Sequence, residues 1–177
     1  VSLELIGKAR EMAAKTGQQV FCLLACEKSA GLPEQILAYG VDKVFVYEHP
    51  ELRHFRIEPF TAVFADFISR VKPSGVLVGG TSIGRSLAPR VAARFKTGLT
   101  ADCTILDINA STDIDQIRPA YGGNIMAHIQ TPNHRPQFAT VRYKIFNAPE
   151  KTAPWGTVEF CQIDAAALKS AIEVLEI

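Results

Sequence analysis

Residues 80–84 read Gly-Thr-Ser-Ile-Gly, and two chemistries fit that spacing. As G-x-S-x-G it is a nucleophile elbow, in which a strand turns sharply into a helix and exposes the serine oxygen. As a glycine-rich turn after the apolar run Val76-Leu77-Val78, it opens a helix whose first N–H groups, with Ser82, Gly84 and Arg85, suit an anion. The hydrolase needs an acid and then a histidine later in the chain, an order that Asp102, Asp107 or Asp113 followed by His128 or His134 supplies. Against it, His128 lies in the run Ile125-Met126-Ala127-His128-Ile129, which places it along a strand, and Arg85 puts a guanidinium where a substrate would pass. The anion reading has neither the lysine of a P-loop nor the G-x-G-x-x-G of a dinucleotide turn. A tight turn with Ser82 capping the helix fits the same residues, and all three readings stay open on residue chemistry.

Three arginines form a second group. Arg118, Arg135 and Arg142 sit at expected strand ends beside glycines and prolines, in Arg118-Pro119-Ala120-Tyr121-Gly122-Gly123-Asn124, in Asn133-His134-Arg135-Pro136 and in Thr140-Val141-Arg142. If these strands pair as hairpins, the guanidiniums gather on one edge with Tyr121 and Asn124. Such an edge suits a planar or anionic cofactor, or a protein partner, because Arg and Tyr dominate interface energetics. Cys22, Cys26, Cys103 and Cys161 lack the tight pairing of a zinc site, so no metal is expected and they read as free thiols in a reducing cytosol. No paired carboxylates or Cys/His pair make a catalytic centre.

The elements that must position these groups follow from periodicity. Ser2 is a fair N-cap for a helix with Leu3, Leu5, Ile6, Ala9, Met12 and Ala13 on its apolar side, ending at Gly17. Strands are expected at 20–25, 42–47 and 76–78, and helices at 33–39, 60–71 and 86–95. Residues 48–56 form a polar connection that carries His49 and His54. This alternation predicts right-handed βαβ units, hence a mainly parallel sheet in a three-layer α/β/α fold. Beyond Thr97 the pattern changes to short strands at 103–108, 116–121, 124–129 and 137–142, which predicts an antiparallel hairpin extension. One more strand follows at 155–163, then a helical turn at 164–170.

The 177 residues fit one domain. With 47% hydrophobic and 21% charged residues the chain can fill a core, and a net charge of +1 calls for neither nucleic acid nor an anionic membrane. No apolar run reaches the roughly 18 residues of a membrane span, and no targeting pattern is expected. The start at Val1, directly in a helical pattern, and the stop at Ile177 suggest a piece of something longer.

Two long segments carry more than any short motif. TSIGRSLAPRVAARFKTGLTADCTILDI and RPAYGGNIMAHIQTPNHRPQFATVR, with SLELIGKAREMA upstream, closely resemble the α subunit of electron-transfer flavoproteins. The resemblance implies an N-terminal domain of adenine-nucleotide-hydrolase-like type over residues 1–177. It implies a β-subunit partner, electron donation by flavin dehydrogenases, and FAD held in a C-terminal domain expected after residue 177 and absent here. The chain then acts as an electron-carrier subunit, not an enzyme, in the cytoplasm, and binds no flavin alone. A first strand before Val1 belongs to the pattern too, and some members of the family bifurcate electrons. By this resemblance Arg142 faces a flavin, and Arg118, Tyr121, Gly122, Gly123, Asn124 and Arg135 meet the β subunit, while Ser82 is a structural cap. Where many members read T-V-R-P-G, this chain has Thr140-Val141-Arg142-Tyr143-Lys144, which lets the strand run on and adds an N–H donor.

Overall fold

The computed structural model describes residues 1–175. Apolar side chains at helical spacing form α1 (Ser2–Thr16), which stops where Gly17 turns left-handed at φ 66°. Then follow β1 (Phe21–Cys26), α2 (Leu32–Leu37), β2 (Lys43–Glu48), α3 (Ile57–Val71), β3 (Gly75–Gly79) and α4 (Ser82–Arg94). The second half gives β4 (Leu99–Cys103), β5 (Ile105–Ile108), β6 (Ile114–Ala120), β7 (Ile125–Ile129), β8 (Gln137–Val141) and β9 (Thr157–Cys161). A 3-10 turn at Ala165–Leu168 replaces the helical turn expected there.

The strands make three sheets of three. The orders are β1-β2-β9 and β3-β8-β4, both parallel, and β5-β6-β7, antiparallel. Alternation along β2 explains the layers: Val44 and Val46 pack with Ile6 of α1 and Leu37 of α2, whereas Phe45 and Tyr47 pack with α3 and α4. Phe138 of β8 joins the same α3–α4 core, so one helical layer covers both parallel sheets. On the other side Leu5 and Met12 of α1 meet Cys103, Leu106, Ile114, Ala139 and Val141, which ties the antiparallel sheet to the body. The α/β/α class with an antiparallel extension is therefore as the sequence indicated. Among the described residues β1 and β3 each pair on one side only, and both are half-buried despite their apolar sequences.

Several local expectations are corrected. The strand foreseen at 103–108 is two strands, broken at Thr104, because Leu99–Cys103 follows β8 in the parallel sheet while Ile105–Ile108 turns away to pair with β6. Residues 137–141 are not part of a hairpin: β8 returns to lie between β3 and β4. Helix α4 starts four residues before 86, at Ser82, because Thr81 rather than Ser82 caps it, its Oγ1 accepting from the Gly84 N–H at 3.2 Å. Likewise Val1, not Ser2, precedes α1, and no side chain caps that helix. Tyr143-Lys144 does not extend β8, because Lys144 turns left-handed at φ 59° and donates its N–H to Glu4 Oε2 at 2.8 Å.

Candidate functional site

The carboxyl ends of β3, β8 and β4 lie side by side, and in open parallel sheets ligands bind outside such ends where the strand order switches. Here β8, late in the chain, separates the earlier β3 and β4. Gly80 follows β3 and donates its N–H to the Val141 carbonyl at 2.7 Å. A Cβ on Gly80 would stand 2.9 Å from that oxygen, so the residue must be small. On the other side the Arg142 N–H donates to the Cys103 carbonyl at 3.1 Å. The Arg142 side chain is thereby launched from the middle of the sheet's edge.

It does not point out alone. Its Nε and Nη2 donate to Asp102 Oδ1 and Oδ2 at 3.1 and 2.6 Å, a two-point ion pair. The pair holds the Asp102 carboxyl below the usual carboxylate range and pushes Arg142 up. Asp102 reaches this position through a local irregularity. The β4–β8 register shifts between Thr100 and Cys103, and Asp102 takes φ 64°. Its N–H, lost to the ladder, donates to Thr140 Oγ1 at 2.9 Å. Arg85 donates its Nε to the Gly80 carbonyl at 3.1 Å, and the charges of Arg85 and Arg118 act on Asp102 alongside Arg142. Among the described residues Arg142 alone bonds this carboxylate, and Arg85 and Arg118 act on it through their charge. Beneath them burial pushes the Cys103 thiol up to about 11, which keeps it protonated and unreactive.

The arginines foreseen on one edge are divided. Arg142 bonds Asp102 and Arg118 acts on that carboxylate only by its charge, whereas Arg135 lies at the opposite end of β8. There it donates to Asp113 Oδ1 at 2.7 Å and to the carbonyls of Thr131, Pro132 and His134, closing its own loop. Tyr121, Gly122, Gly123 and Asn124 form the exposed tip between β6 and β7, with Tyr121 84% accessible. Tyr121, Gly122 and Gly123 all have positive φ, at 48°, 70° and 94°. Ile105, Ile125 and Met126 are also exposed on the antiparallel extension, with Ile125 and Met126 on opposite faces of β7.

The hydrolase arrangement does not assemble. Ser82 is the first residue of α4, and its carbonyl accepts from the Ser86 hydroxyl at 3.0 Å. His128 is bonded to Asp115 Oδ2 at 3.1 Å on the antiparallel sheet, and no histidine or carboxylate bonds Ser82 among the described residues. Gly84 offers little to an anion because its N–H is taken by Thr81. Sequence reasoning used Asp102 only as a hydrolase acid and missed its partnership with Arg142. The signal was present in ADC and TVR, two strand ends of unknown neighbourhood, and only the parallel placement of β8 joins them.

These features define an α/β/α domain with the Asp102–Arg142 pair at the carboxyl edge of its sheet and an exposed antiparallel extension. A family model described as electron transfer flavoprotein domain matches residues 1–168, and the chain belongs to that family. It is similar to subunit LctC of the lactate dehydrogenase (NAD(+),ferredoxin) of Acetobacterium woodii, with 61% identity over all of this chain and 43% of that protein. It is similar to electron transfer flavoprotein subunit alpha of Megasphaera elsdenii, 46% identical over 85% of this chain and 45% of the relative. The corresponding subunit of Clostridium acetobutylicum is 44% identical over 82% and 44%. The chain thus spans less than half the length of these relatives.

Proposed function

We propose that this chain is the β-subunit-docking, flavin-flanking part of an electron-transfer flavoprotein α-type subunit, receiving electrons from flavin dehydrogenases and breaking no bonds itself. The observation that carries the reading is the presence of two features on one scaffold: the Arg142–Asp102 pair at the sheet's carboxyl edge, within reach of the charges of Arg85 and Arg118, and the exposed apolar side chains of the antiparallel extension, Tyr121 among them. FAD, when bound to the whole protein, supplies the electron-accepting chemistry. The donor set fits such a group, since guanidiniums complement both a pyrophosphate and the negative charge of a reduced flavin ring. Arg142 is the residue facing it, with Arg118 and Arg85 adding positive potential, and Tyr121 to Asn124 meet the β-type subunit. The relative named as a lactate dehydrogenase subunit supports a dehydrogenase as electron donor.

Co-expression of the full-length protein with its β-type subunit tests this. Tyr121→Ser with Met126→Ser lowers the yield of co-purified partner while the far-ultraviolet spectrum stays unchanged, and an undiminished yield contradicts the docking assignment. Added FAD leaves residues 1–177 without a stoichiometric flavin spectrum, whereas tight flavin binding by this portion alone would contradict the division of labour.

A further inference from the structure

Local backbone geometry brings a carboxylate to Arg142. Asp102 sits at φ 64°, a left-handed conformation that Asp and Asn adopt more readily than other non-glycine residues. The bulge in β4 re-aims a side chain, as bulges beside functional sites do. Thr140, itself buried on the adjoining β8, accepts the Asp102 N–H with its hydroxyl where the ladder between the two strands is interrupted. All three features serve one result, the two-point contact of Asp102 with Arg142 at 3.1 and 2.6 Å.

We infer that Asp102 is a built-in counter-ion that sets the net charge Arg142 presents to the cofactor, and so acts as a positioning residue for the flavin's redox behaviour. This rests on the reading that Arg142 faces a flavin. With the carboxylate in place, Arg142 presents a nearly neutral, fixed pair, and among the described residues no acidic side chain pairs with Arg85 or Arg118, whose charges also act on Asp102. Losing the carboxylate leaves a full positive charge at the sheet edge, which favours the negatively charged reduced flavin. Losing the guanidinium leaves a bare carboxylate, which disfavours it. The two changes act in opposite directions through one pair.

The test is the flavin midpoint potential of the assembled full-length protein with its β-type subunit, for Asp102→Asn, Arg142→Gln and the double variant. Asparagine tolerates the positive φ of position 102, so the first change alters charge more than backbone. The expected result is a rise for Asp102→Asn, a fall for Arg142→Gln, and a return close to the starting value for the double variant. A merely structural role moves both single variants the same way, which overturns the inference. If Arg142→Gln shifts the potential and Asp102→Asn does not, the counter-ion role fails while the flavin-facing reading of Arg142 stands. If neither moves it, the flavin-facing reading falls and takes the inference with it.

Discussion

The Asp102–Arg142 pair makes a prediction about acid stability that needs no cofactor. Because Arg142 holds the Asp102 carboxyl below its ordinary value, the pair stabilises the fold above the unfolded-state pKa of about 3.9 and loses that contribution as pH falls through the lower folded value. Asp102→Asn removes the contribution. Urea denaturation is expected to show the variant less stable by a constant margin from about pH 7 to pH 5, with the two curves converging below about pH 4. A margin that widened on acidification would contradict the pairing. A second residue-scale prediction concerns Tyr47, fully buried in β2, whose hydroxyl donates to Asp66 Oδ2 at 2.6 Å. Burial, with that bond second, pushes its phenol up, so it stays neutral and donating across the usable pH range. Tyr47→Phe leaves the ring packing intact and removes only the bond to a charged acceptor. Thermal unfolding should report a loss of about 1.5 kcal/mol.

Among the elements, the junction of β3 and α4 depends on close approach. A Cβ on Gly84 would lie 1.9 Å from the Gly79 carbonyl oxygen, so Gly84→Ala forces the helix off the strand and costs about 3 kcal/mol by chemical denaturation. Gly122 is the contrast: its added Cβ meets nothing within 4 Å, and alanine there pays only for φ 70°, roughly 1 kcal/mol. This is also the scale at which the sequence was most and least legible. Strands β1, β2 and β3 were readable because each is a continuous apolar run, well covered only in β2, and α1 and α3 because one face repeats at helical spacing. The turn at Thr81 was misread by one residue, since threonine and serine stand side by side and either hydroxyl can cap. The placement of β8 was not legible at all. A five-residue strand such as Gln137–Val141 carries no mark of whether its partner is the preceding hairpin or a strand some 60 residues earlier. Asp102 was hidden for the same reason, because its role exists only once β8 lies beside β4.

For the whole molecule, the two helical layers and the parallel sheets form a scaffold that carries the Asp102–Arg142 pair at one sheet edge and the antiparallel extension beside it. Cys103 is buried, and burial pushes the half-buried Cys22 thiol up to about 12, so these two thiols stay protonated. Ile105, Tyr121, Ile125 and Met126 are exposed, and in the proposed function the β-type subunit covers this extension. The most direct measurement is amide hydrogen exchange of the full-length protein, alone and with its β-type subunit. Slowed exchange is expected in two places, across residues 114–129 and at residues 140–142, while β1, β9 and α2 exchange as before. Protection confined to β9 and α2, with the antiparallel extension unchanged, would show that the partner binds elsewhere and would remove the basis for the docking assignment.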